Sequence, residues 1–258
     1  MFTEKYNLLF TKNLEEFISS NGIEKNVEYT LLYPDYGEDY FKKKKLMIVG
    51  RAASKWFVNF KPSDLINNND KILEKVNESI NLRVSNRLVW AQKEWNGEVI
   101  HENGRKLTKF RFWQVPFQIY KKLDGEAKSN SWFQNVAWSN IYKITPNSRG
   151  VNPNKKEREI QVKNNMHIEL LRNEIEFLQP EICLMMIDEN WAKDIINILN
   201  LESTKKEFNK TKITHLISQY KSTTIIITSR PDKRGKGLTN DSFVNEVYEN
   251  ILMLQNEK

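Results

Sequence analysis

Four short apolar runs, at residues 46–50, 136–141, 182–187 and 223–228, constrain the fold of this chain more than any other feature. Each is about one strand long and lacks the alternation of a strand that faces water on one side. A run that is apolar throughout needs cover on both faces, and stretches with apolar residues at helical spacing separate the runs. The expected fold class is therefore α/β: a three-layer α/β/α arrangement around a central, mainly parallel four-stranded sheet.

The spacing predicts a helix over residues 3–20, stopped near Gly22, and helices over 72–82 and 88–95. A long helix is expected over 155–178, ended ahead of Pro180, then one around 191–199 and an amphipathic one over 240–255. Residues 110–120 read as a helix interrupted or begun at Pro116. The dipeptides Asn96-Gly97 and Asn103-Gly104 frame a small hairpin, residues 147–154 a polar loop, and 213–217 a short helix or strand. One domain is expected over residues 1–258, with 1–44 as a helical extension and a core of about 45–250.

The net charge of +7 points to an anionic partner, nucleic acid first. Cys183, the one cysteine, lies inside an apolar run and reads as a small buried hydrophobe. His101, His167 and His215 lack zinc-ligand spacing, so neither metal nor cofactor is expected. No run spans a membrane and no leader is evident, so a cytoplasmic monomer is expected.

In parallel sheets, ligands gather at the carboxyl ends of the strands. Three loops are placed there, at residues 50–55, 140–154 and 229–237. Asn140 is expected where its run ends, with Lys143 and Pro146 just beyond. Its amide offers an acceptor and two donors in one plane, which suits the edge of a base.

In this order, the loops resemble the uracil-DNA glycosylase superfamily over roughly residues 45–250. The similarity is closest to the branch whose central motif runs threonine–asparagine–apolar–apolar–lysine. Ser139, Asn140, Ile141, Tyr142 and Lys143 stand in that place. The run 46–50 ending in Gly50 resembles the first motif, and residues 225–231 resemble the last. There are departures. Ala52 stands where many members carry an Asp or Asn, Arg230 where a histidine is usual, and one cysteine where that branch has four.

The resemblance implies a protein that binds an everted base, uracil or another altered base, and hydrolyses its N-glycosidic bond in single- or double-stranded DNA. Asn140 would hold the base edge, and Arg230 and Arg51 would face the leaving oxygen with positive charge. Trp56 and Phe57 would stack on the base; Lys143, Lys233, Arg234 and Lys236 would neutralise phosphates. Asp188 and Glu189 read first as a helix N-terminal pair and second as the carboxylates nearest a strand end. Asp232 is a further carboxylate in the last loop. The alternatives are a catalytically silent DNA-binding module and a binder of phosphorylated metabolites. The latter lacks any phosphate-loop pattern.

Overall fold

A computed structural model describes residues 2–43, 45–52, 58–86, 88–99, 106–125, 128–147, 152–201, 213–232 and 239–255. In chain order the strands are β1 (Tyr29–Leu31), β2 (Asp35–Tyr36), β3 (Leu46–Ala52), β4 (Val58–Phe60), β5 (Val136–Tyr142), β6 (Ile144–Pro146), β7 (Ile182–Met186), β8 (Thr214–Tyr220) and β9 (Thr223–Thr228). The helices are α1 (Glu4–Ser19), α2 (Pro62–Leu65), α3 (Asn69–Asn86), α4 (Val89–Asn96), α5 (Arg111–Leu123), α6 (Lys155–Val162), α7 (Met166–Leu178), α8 (Glu189–Ile198) and α9 (Asn240–Gln255).

The fold is α/β, with a mainly parallel sheet. That sheet has six strands, in the order β2-β5-β3-β7-β9-β8, rather than the four expected. The additions have physical reasons. β2 is two residues long, too short to carry a period. β8 mixes buried and partly exposed residues, which suits an edge strand pairing antiparallel with β9. The apolar runs form the parallel centre, with β3 beside β7 and β7 beside β9. A second, three-stranded sheet, β4-β1-β6, was not legible in the sequence at all.

The chain forms two compact units, each assembled from three segments. The first comprises residues 1–35, 50–86 and 139–178. It contains the three-stranded sheet, with β1 antiparallel to both neighbours. Tyr6, Phe10, Leu14, Phe17 and Ile18 give α1 its buried face. Gln161 closes the outer edge of β6: its amide accepts from Ile144 N–H at 3.1 Å and donates to Ile144 O at 2.8 Å. The long helix expected over 155–178 is two helices. Asn164 and Asn165 take left-handed φ of 56° and 58°, which asparagine tolerates better than most residues. Asn154 and Glu157 start α6 with reciprocal side-chain-to-backbone bonds.

The second unit comprises residues 36–49, 87–138 and 179–258. Its apolar centre holds Leu46 to Val49, β7 and β9 at 8% exposure or less. Trp95, Trp113, Trp132 and Phe133 pack ring against ring, which makes Trp113 a core residue. Pro116 neither begins nor breaks α5, which starts five residues earlier. Trp113, Val115, Pro116, Ile119 and Tyr120 are all buried, and that burial carries the helix past the missing donor. Cys183 is buried, as expected. The hairpin expected between Asn96 and Gly104 lies largely outside the described residues. Among the described residues, no helix is long and apolar enough to cross a membrane.

Candidate functional site

Among the described residues, one buried polar centre in each unit bears on the expected site. The first is built around Asn140. β5 continues through Tyr142, so Asn140 lies inside the strand rather than at its end, and it is buried. Its neighbours Ser139 and Lys143 are buried as well.

Three acceptors surround the Lys143 ammonium: Ser139 Oγ at 2.7 Å, the Asn140 carbonyl at 2.5 Å and Glu174 Oε1 at 2.7 Å. An ammonium has three N–H donors, so this set saturates it. Glu174, from α7, also accepts from the Tyr6 hydroxyl on Oε1 at 2.7 Å and from Ser139 Oγ on Oε2 at 2.6 Å. Both members of the ion pair are fully buried. Burial pulls the Lys143 pKa down and Glu174 opposes that pull. Burial first and Glu174 second push the Tyr6 phenol well up, so it remains a donor. Taking one partner from such a pair costs about 3–5 kcal/mol, because the other charge is left without solvent or counter-ion.

Against this cluster lies His167, its ring 5.7 Å from that of Tyr142 and parallel to within 1°. Burial, and then the Lys143 charge, hold the imidazole pKa down at about 4. It is therefore neutral near pH 7.

The second centre lies where β7 and β9 end. Thr228 O accepts from the amides of Ile187 at 3.1 Å and Asp188 at 3.0 Å. Pinned there, Asp188 takes φ 62°, ψ 156°. Only glycine enters that region freely, and an aspartate held there stores about 1–3 kcal/mol. By position Asp188 is the N-cap of α8, yet its side chain makes no capping bond. Oδ1 instead accepts the Arg230 N–H at 3.1 Å. Asp188 and Glu189 thus stand as the expected pair at the start of α8, Asp188 at the N-cap position and Glu189 in the first turn.

Arg230 grips Asp232 with two parallel bonds, Nε to Oδ1 at 2.8 Å and Nη2 to Oδ2 at 2.5 Å. The Ser229 hydroxyl lies 2.9 Å from His215 Nε2, on β8. Arg111, at the start of α5, reaches the Pro231 carbonyl at 3.5 Å.

The expected site residues therefore fall as follows. Gly50, Arg51, Asn140 and Lys143 belong to the first unit and Arg230 to the second. Arg51 is half-buried within β3 rather than beyond it. Lys143 does not present its charge to phosphate: it is fully buried and paired with Glu174. Trp56, Phe57, Lys233, Arg234 and Lys236 lie outside the described residues.

The sequence left Tyr6, Ser139 and His215 without functional roles, and Glu174 as part of a helix end. Glu174 had a signal, being a carboxylate among Leu170, Leu171, Ile175 and Leu178 on the apolar stripe of α7. His215 had none, because only the β8–β9 register brings it to Ser229.

No known family pattern matches this chain, and no curated protein matches it.

Proposed function

We propose that this chain is a DNA glycosylase-like protein, with a uracil-DNA glycosylase-like fold, that hydrolyses the N-glycosidic bond of an everted base. The carrying observation is the state of Asn140. Its backbone carbonyl accepts from the saturated Lys143 ammonium, which is itself tied to Glu174 and Ser139. This fixes the backbone from which the Asn140 side chain projects, and a planar amide that reads a base edge needs a fixed base of support.

Arg230 and Arg111 supply cationic groups in the second unit. Glycosidic cleavage needs such charge, because the base departs as an anion. The net charge of +7 adds sequence-independent attraction to the phosphate backbone. Arg51, Trp56 and Phe57 keep their proposed places at the base, and Lys233, Arg234 and Lys236 theirs at the phosphates. The protein would act as a cytoplasmic monomer without a cofactor.

The test is incubation with DNAs carrying uracil, hypoxanthine, deaminated purines or bulky modified pyrimidines, with free base detected by mass spectrometry. Wild type releases at least one base, and Asn140→Ala abolishes release. Failure of wild type to release any base overturns the enzymatic reading.

One observation favours a catalytically silent DNA-binding module instead: Asp232 already matches the Arg230 guanidinium two bonds to two. Such a module would retard DNA with a steep salt dependence and leave every glycosidic bond intact.

A further inference from the structure

We infer that Lys106, Lys109 and Phe112, in the second unit, form a strip that holds single-stranded nucleic acid, the lysines on its phosphates and the ring against an unpaired base; this rests on the nucleic-acid partner proposed above and adds its strand form, whether or not a base is released. Charge points to the strip first. Between Glu102 and Asp124 the chain carries Arg105, Lys106, Lys109, Arg111, Lys121 and Lys122 and no carboxylate. Other exposed lysines meet an acid close by in sequence, as Lys42 meets Asp39 and Lys155 meets Glu159. Lys106 and Lys109 are exposed, and among the described residues neither pairs with a carboxylate. A polyanion can neutralise both ammonium groups without first displacing a partner.

Local structure sets the two lysines on one side. Leu107–Lys109 make a single 3₁₀ turn, closed by the Lys109 N–H on the Lys106 carbonyl at 2.9 Å. Residues three apart eclipse in such a turn, so both side chains leave the same side. Leu107 and Trp113 are buried and anchor the segment. Gln114 clamps it: its amide donates to Thr108 O at 2.5 Å and accepts from the Asn240 amide at 2.7 Å. The strip is therefore held before any ligand arrives, which lowers the ordering cost of binding.

The aromatic group follows at once. Phe112 is partly exposed, and its one ring contact among the described residues is with Trp113, edge to face at 5.0 Å. A partly exposed ring among cations suits an unpaired base, whose flat face is open; in a duplex the neighbouring pairs cover that face. Arg111, between the lysines and the ring, reaches Pro231 O at 3.5 Å. Pro231 and Asn240 flank, in sequence, the Lys233, Arg234 and Lys236 already assigned to phosphates.

The experiment follows the fluorescence anisotropy of a labelled oligothymidine, and of the duplex it makes with its complement, over a range of salt concentrations. The chains compared are wild type, Lys106→Gln/Lys109→Gln and Phe112→Ala. Wild type is expected to bind the single strand more tightly than the duplex. Loss of two phosphate contacts is expected to flatten the slope of log K against log salt by about 1.4 on the single strand. Phe112→Ala is expected to weaken single-strand binding roughly 5- to 150-fold and to change duplex binding less than about twofold. The lysine variant alters exposed groups alone, so it reports even where Phe112→Ala does not fold. A salt slope within about 0.3 of wild type in the lysine variant overturns the strip. So does duplex binding as tight as single-strand binding, or polyglutamate that displaces the oligothymidine at equal charge. A folded Phe112→Ala chain that binds the single strand within about twofold of wild type overturns the base contact. Strip-dependent binding with no base released from any DNA upholds the strip and overturns the glycosylase reading alone. Base release by a chain whose binding ignores these three residues overturns the strip alone.

Discussion

Glu174→Gln is the sharpest perturbation of the first unit. It removes a charge but keeps shape and one acceptor oxygen, so the change in stability reports on the ion pair more than on packing. The Lys143 ammonium then keeps Ser139 Oγ and the Asn140 carbonyl but loses its anion, with no solvent in reach. The Tyr6 and Ser139 hydroxyls, which both donate to Glu174, must share the one remaining acceptor. A broken buried pair costs about 3–5 kcal/mol, and the retained hydrogen bonds put this case at the lower end, about 3 kcal/mol. For a chain of this size that lowers Tm by roughly 6–12 °C.

The assay is urea unfolding of wild type, Glu174→Gln, Lys143→Met and the double variant. The double variant is expected to be well above the sum of the singles in stability, with a coupling of about 1–3 kcal/mol. A Glu174→Gln chain within about 0.5 kcal/mol of wild type, or strictly additive losses, would show that the two charges do not hold each other.

Further outcomes follow from other groups. The His167 pKa of about 4 lies below its ordinary value of 6.5, so the unfolded chain takes up the proton first as pH falls. Stability is full above about pH 6.5 and declines by about 3 kcal/mol down to pH 4; comparing urea midpoints with His167→Phe, which lacks that proton, isolates the effect. The buried Arg83–Asp35 pair, 3.2 Å apart, predicts a loss of about 3–5 kcal/mol for Asp35→Asn in the same assay. A Cβ at Gly37 would collide with the Gln134 carbonyl group and with Phe133 O. These are backbone atoms that cannot swing aside, so Gly37→Ala is expected to lose at least about 2 kcal/mol in thermal melts.

Legibility in the sequence followed burial. Residues 182–187 announced β7 because a strand covered on both faces is apolar throughout, and residues 223–228 announced β9 by their β-branched Thr and Ile. β1, β4 and β6 are three residues each, shorter than any period that could reveal them, and their pairings join residues as distant as Tyr29 and Pro146. The break between α6 and α7 was visible only as two adjacent asparagines, Asn164 and Asn165, a weak turn signal within an otherwise helical apolar spacing.

The site was legible by position more than by role. Asn140 and Arg230 drew notice from their places after apolar runs. Of the partners that define their surroundings, Glu174 and Tyr6 come from elsewhere in the fold, whereas Asp188 and Asp232 were named as carboxylates without their bonds to Arg230. Lys143 was misassigned because a lysine after a strand looks solvated until a carboxylate 31 positions later is known to meet it.

The most direct measurement is the intact mass of an altered-base oligonucleotide before and after incubation with the protein. A glycosylase leaves a strand of unchanged length whose mass has dropped by one base and risen by one hydroxyl, and that product is the expected result. Strands that stay bound yet keep their full mass across every altered base would contradict it.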